Sequence, residues 1–134
     1  MASNKNDSTV QAQPVTAKIN QVYSITLREG LGKLWVDWTL SSEGQPNNKI
    51  GPAHYDMLIV YTGPVPSDPT GQPTEKAWVY TDTVNNPGDG SQGSWNTNLP
   101  WGSGYSGAWV RKTYTYDHKH GTFFYLCYTP ETTP

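Results

Sequence analysis

The chain has little of what most readings of function rely on. Among 134 residues there is one cysteine, two methionines and two phenylalanines, and charged residues make up only 15%. A lone cysteine excludes an intrachain disulfide and fits a reducing compartment. Cys127 sits in "TFFYLCYT", which reads as a small buried hydrophobe rather than a reactive thiol. Nine Lys and Arg against eleven Asp and Glu leave a net charge of −2. That balance steers the chain towards neither nucleic acid nor an anionic membrane surface. Apolar runs are strand-length, too short to span a bilayer, so no membrane insertion is expected. The N-terminal "MASNKNDSTVQAQPV" lacks the apolar stretch of a signal peptide. The expected location is cytoplasmic, with any release independent of a signal peptide.

Aromatic rings are what the chain does have. Six Trp and nine Tyr, with thirteen Gly and eleven Pro, describe a loop-rich β protein whose rings carry a polar edge. Such rings suit surfaces that are dry on one side and wet on the other.

Residues 1–14 are polar and without period, and read as a flexible arm; residues 15–130 read as one domain. Within it the hydrophobic pattern has period two. In "AKINQVYSITL" Ile19, Tyr23, Ile25 and Leu27 share a face, and "REGLG" turns the chain. "KLWVDWTL" sets Leu34, Val36, Trp38 and Leu40 against Trp35, Asp37 and Thr39. "YDMLIVY" is apolar on both faces and therefore central. The four prolines of "TGPVPSDPTGQPTE" exclude it from a sheet. "KAWVYTDTV", "SWNTNL", "YSGAWVRKTYTY" and "TFFYLCY" bring the count to about seven strands, the last two joined by "DHKHG". The expected fold is an all-β, antiparallel, immunoglobulin-like β-sandwich, with a small jelly roll as the rival architecture.

The stretches "YDMLIVYTG", "KAWVYTD" and "GSWNTNLPWGSGYSGAWV", followed by an aromatic last strand, resemble SKICH domains over roughly residues 55–128. Asp56, Trp78, Leu99-Pro100, Gly104-Tyr105 and Trp109-Val110 carry the resemblance. The Asp-Trp-aliphatic-Gly start of that family is here Asp56-Met57-Leu58-Ile59. The resemblance implies an intracellular, non-enzymatic interaction module.

Catalytic signatures are thin. His118 and His120 flank a tight turn beside Asp117, with His54 far away in sequence, which is not a zinc ligand set. No serine sits in a nucleophile elbow, and although Asp37, Asp56, Asp82 and Asp89 could converge in space as a carboxylate pair, a 134-residue sandwich has little room for a substrate cleft. "NNPGDGSQG" offers oxygen ligands, but Asp89 is its only carboxylate, so a turn is the better reading than a calcium site. No enzyme activity, metal or cofactor is expected.

A binding surface remains. Sugars present C–H faces and hydroxyls, which stack on Trp and Tyr and exchange hydrogen bonds with Asn and Asp. "SWNTNLPWGSGY" offers Trp95, Asn96, Asn98, Trp101 and Tyr105 within eleven positions, with Asp89 nearby. Trp101, between Pro100 and Gly102, is the ring expected to face a ligand from a turn. Trp95 and Trp109 alternate in strands and lean towards the core, while Trp78, Tyr80 and Asp82 line a groove or pack on a neighbouring sheet. The expected function is a non-catalytic lectin whose partners are glycans or glycoconjugates, acting as a homodimer or higher homo-oligomer. Its rivals are a protein-interaction module and a structural oligomer subunit.

Overall fold

The structure, a computed structural model, describes residues 15–17, 22–41, 55–86, 89–114 and 121–133; side chains are described for 22–41, 55–84, 91–112 and 122–133. The expected arm, the three histidines, Asp117 and the Asp89 side chain lie outside these.

The described residues form seven strands of six residues or more and two short ones, with no α-helix among them. In chain order they are β1 (Val15–Ala17), β2 (Tyr23–Gly30), β3 (Lys33–Leu40), β4 (Met57–Thr62), β5 (Glu75–Tyr80), β6 (Asn85–Asn86), β7 (Asp89–Pro100), β8 (Tyr105–Tyr114) and β9 (Gly121–Tyr128). One sheet has the order β1-β2-β3-β7-β6, the other β9-β8-β4-β5, and all pairings are antiparallel. This is the expected all-β sandwich. Its order follows the immunoglobulin pattern, in which the first, second, fifth and fourth strands form one sheet and the third, sixth and seventh the other; here β5 extends the second sheet beside β4.

Local chemistry explains the elements. β2 and β3 close over Leu31-Gly32, with φ of 54° and 75°, a two-residue hairpin turn whose backbone twist matches the strands. Glu29 Oε accepts a hydrogen bond from the Gly32 amide at 2.6 Å. In β3, Leu34, Val36, Trp38 and Leu40 are buried, as the alternation predicts, while Thr39 is exposed. They meet Leu58, Val60, Trp109 and Cys127 of the opposite sheet in the core between the layers. Trp109 stands edge-on to Trp38 and Tyr23, with ring centroids 5.6 and 5.1 Å away.

One expected strand is shorter than its pattern. "KAWVYTDTV" leaves the sheet after Tyr80, and Thr81–Val84 form a 3-10 turn that carries the chain to the other layer. The Asp56 carbonyl accepts the Thr81 amide at 2.8 Å, and the Val84 carbonyl accepts Trp38 Nε1 at 3.2 Å. Long-range partners for these groups outweigh local alternation. β7 opposes this crossing through Gly93, where an added Cβ would lie 1.8 Å from the Val84 oxygen.

β4 has neighbours on both edges and is buried on both faces. Leu58 and Val60 point into the sandwich. Met57, Ile59 and Tyr61 belong to a second core with Ala108 and Val110, on the far side of the same sheet.

Candidate functional site

The residues expected to form a sugar site are divided by the sheet that carries them. Trp95 pairs with Val36 and packs on the core between the layers. Asn96 pairs with Trp35, one residue on and therefore on the opposite face. Trp95 and Asn96 cannot line one groove. Asn98 is exposed with φ of 64°, at a register shift opposite Lys33 and Trp35. Its amide donates to Asn96 Oδ1 at 2.9 Å, so this pair shapes a bulge.

Trp101 and Tyr105 are half-buried and pack against the same core. The chain beyond β9 laces their loop together. Thr132 Oγ1 donates to the Gly102 carbonyl at 2.8 Å and accepts the Tyr105 amide at 3.1 Å. The Gly104 amide donates to the Thr132 carbonyl at 2.8 Å. Trp101 is thus set in a packed corner, where the sequence pattern suggests a ring at a loop tip.

The exposed aromatic surface lies elsewhere, on the outer face of β9-β8-β4-β5. Register sets its rows: Tyr80, Met57, Val110 and Tyr125 across one line, Trp78, Ile59, Ala108 and Tyr128 across the next. Residues 63–74 roof part of it. Val65 packs on the second core, Tyr61 Oη donates to the Pro69 carbonyl, and Tyr125 Oη donates to the Pro66 carbonyl. Burial pushes the hydroxyl pKa of both tyrosines up, so they remain donors. Gly63 anchors the roof at one end: its amide donates to the Gly104 carbonyl and its own carbonyl accepts Ser106 Oγ, each at 2.7 Å.

The remaining part is open. Tyr55, Met57, Tyr80, Lys112 and Phe123 line a cleft of about 400 Å³. Tyr55 and Trp78 are each 48% exposed and Tyr80 36%. The Trp78 and Tyr80 centroids are 5.0 Å apart at 79°, and Tyr55 and Tyr80 5.4 Å apart at 59°. The rings meet as corners rather than as one flat plate. Lys112 Nζ lies 5.4 Å from the Phe123 ring centroid.

The segment leading into the cleft is held from below. Asp56, 1% exposed, accepts from Arg111 Nε and Nη2 at 2.9 and 2.8 Å and from Trp109 Nε1 at 3.0 Å. This pairing pushes the Arg111 pKa up, so the guanidinium stays charged. Tyr55, immediately before, has φ of 69°, a left-handed conformation that costs a non-glycine residue about 1–2 kcal/mol. Strain of this kind persists where surrounding contacts over-determine the chain, and it clusters at ligand-binding positions.

Among the described residues the cleft presents ring faces, the phenolic hydroxyls of Tyr55 and Tyr80 and the Lys112 ammonium. The "KAWVYTD" alternation already set Trp78 and Tyr80 on one face. Tyr55, Met57, Lys112 and Phe123 carried no comparable signal, because register alone brings these distant segments together. Among the described residues no group of three or more His, Cys, Asp or Glu is placed to hold a metal ion, and no helix is long and apolar enough to cross a membrane. No family model, curated protein or solved structure matches this chain.

Proposed function

We propose that this chain is a non-catalytic carbohydrate-binding protein whose site is the open cleft on the outer face of the four-stranded sheet. One observation carries the reading: Tyr55, Tyr80 and Trp78 form a continuous run of exposed rings beside a cleft of about 400 Å³. The run is stiffened from beneath by the pairing of buried Asp56 with the partly exposed Arg111. Angled rings offer a pyranose one C–H face at a time, and the phenols supply donors and acceptors at the margin.

A glycan array followed by calorimetric titration tests this. Trp78→Ala and Tyr80→Ala should weaken binding by roughly 1–3 kcal/mol, the scale of a lost aromatic anchor. Both should leave the melting temperature within a few degrees of the parent. Trp101→Ala should instead destabilise the fold and leave the affinity of the folded fraction unchanged. The opposite result, with Trp101 controlling affinity and Trp78 silent, would return the site to the 95–105 loop.

A subunit interface is the second reading. β5 is an edge strand that carries the exposed Trp78 and Tyr80, and interfaces enrich both residue types. Light scattering at micromolar concentration separates the two. A dimer that dissociates in Trp78→Ala, with no sugar bound by the parent, selects the interface.

A further inference from the structure

The exposed rings outrun the cleft. Tyr80 lines it and Trp78 does not, although Trp78 is exposed and its ring centroid is 5.0 Å from that of Tyr80. The two stand two residues apart on β5, on one face and about 6.6 Å apart along the strand. The Asp56 carbonyl accepts the Thr81 amide, which sets Tyr55 past the last residue of β5. Trp78, Tyr80 and Tyr55 therefore follow one another along the strand direction. Across the sheet the path is closed. The row through Tyr80, Met57 and Val110 ends at Tyr125, whose hydroxyl is held under the roof by the Pro66 carbonyl. Among the described residues no strand pairs with the outer edge of β5, so the line of rings is open along its length. Successive rings are also turned against one another, by 79° between Trp78 and Tyr80 and by 59° between Tyr80 and Tyr55. A flat sugar layer, such as a crystal surface, needs rings that share a plane. A single chain whose faces turn from one sugar to the next can meet these rings in order.

We infer that the ligand of this site is a single extended glycan chain of β-1,4-linked pyranoses, held by an internal stretch that runs along Trp78, Tyr80 and Tyr55. The inference rests on the carbohydrate reading above. Equatorial linkages keep such a chain extended and leave the C–H faces of successive sugars bare for stacking on aromatic rings. An α-1,4-linked chain coils away from a straight line of rings. A lone monosaccharide fills the cleft and leaves Trp78 unused.

Calorimetric titration of the full chain with glucose, cellobiose, cellotriose and cellohexaose, with the matching xylose and chitin series, and with maltohexaose tests it. In at least one β-1,4 series affinity should rise roughly tenfold or more from monosaccharide to trisaccharide, the scale of one further aromatic contact. Reducing the end sugar of the hexasaccharide to its alditol should leave its affinity unchanged, since an internal stretch needs no chain end. Trp78→Ala should flatten the rise, costing the trisaccharide about tenfold and the disaccharide much less, and Trp78→Phe should keep most of it. Crystalline cellulose should sediment little of the protein. The inference falls and the carbohydrate reading stands if a monosaccharide binds the parent as tightly as its oligomers, or if maltohexaose or crystalline cellulose is preferred. The same holds if Trp78→Ala weakens every length equally, or if a glycan array shows binding only to other linkages. If neither these ligands nor the array gives binding, both fall. Length dependence is measured on the parent first, so a folding defect in Trp78→Ala would not decide the result.

Discussion

The outer faces of the two sheets are built from strands of similar length, yet they are completed in opposite ways. On the five-stranded sheet Arg28 lies 5.0 Å from the Trp35 ring centroid and pairs with Asp37, which also accepts Ser94 Oγ at 2.6 Å. Thr26, Thr39 and Asn96 extend the same polar surface. Arg28, Asp37 and Ser94 satisfy one another across neighbouring strands. On the four-stranded sheet the corresponding positions are Met57, Ile59, Tyr61, Trp78, Tyr80, Ala108 and Val110. An apolar face must be covered to be stable in water. The Pro-rich 63–74 segment covers one part, and the rest is left as the cleft. The face left partly uncovered is the one proposed to take a ligand.

The comparison can be sharpened by removing one carboxylate from each sheet. Asp56→Ala leaves the Arg111 guanidinium and the Trp109 indole N–H without their acceptor inside the protein. It should cost about 2–4 kcal/mol, towards the lower end for breaking buried pairs because Arg111 is 31% exposed, and lower the melting temperature by about 8 °C or more. Cleft binding should fall with it, because the Tyr55–Met57 segment loses its support. A loss below about 1 kcal/mol would show that the pair is not the anchor of this face.

The roof is the next test. Tyr61→Phe removes the hydroxyl that meets the Pro69 carbonyl, leaving a buried acceptor unpaired at a cost of about 1–3 kcal/mol. Amide exchange should then rise across residues 63–74 and remain unchanged in β2 and β3. Uniform exchange across both sheets would mean that the roof does not open on its own.

The third test touches the layer between the faces. Burial pushes the Cys127 thiol from 9.0 up to about 12. Below pH 9 both folded and unfolded chains keep the proton, and the contribution to stability is complete. Above pH 9 the unfolded chain loses it while the native chain does not, so stability falls as pH rises, approaching about 1.4 kcal/mol per unit from this group. Urea midpoints at pH 8, 9 and 10 should decline, and Cys127→Ala should flatten the pH 9–10 portion. An equal slope in the variant would leave the tyrosines alone responsible.

The smallest effect is expected on the polar face. Side chains of Arg28 and Asp37 are 36% and 29% exposed, so Asp37→Ala should cost below about 1 kcal/mol and leave cleft binding unchanged. A cost matching that of Asp56→Ala would erase the distinction between the two faces.

Much of this architecture was legible in the residues. Leu34, Val36, Trp38 and Leu40 announced their inward face through alternation, and "YDMLIVY" announced a strand covered on both sides. The seven long strands were recognisable, although the first begins at Tyr23, with Ala17 of "AKINQVYSITL" in β1 opposite Ile25, β7 extends well beyond "SWNTNL" and the strand through Trp78 stops at Tyr80. The proposed binding surface was far less legible. Dense aromatics drew attention to residues 95–105, but Trp95 faces the core and Trp101 is wedged beside it. The rings left open include those of Tyr55, Trp78 and Tyr80, in segments whose composition is less conspicuous.

Period two by itself determined which residues form strands and which side chains share a face, because successive residues on an extended chain point to opposite sides. It could not say what stands over each face. That was decided by tertiary structure: a two-layer sandwich buries one side of each sheet, and any apolar residue on the other side depends on a distant segment to shield it. For Tyr61 and Tyr125 that segment is the Pro-rich stretch, reached through the carbonyls of Pro69 and Pro66. For Tyr55, Trp78 and Tyr80 the shield is incomplete, and whether a ring becomes core or contact surface is fixed by where the chain's remaining length can fold back.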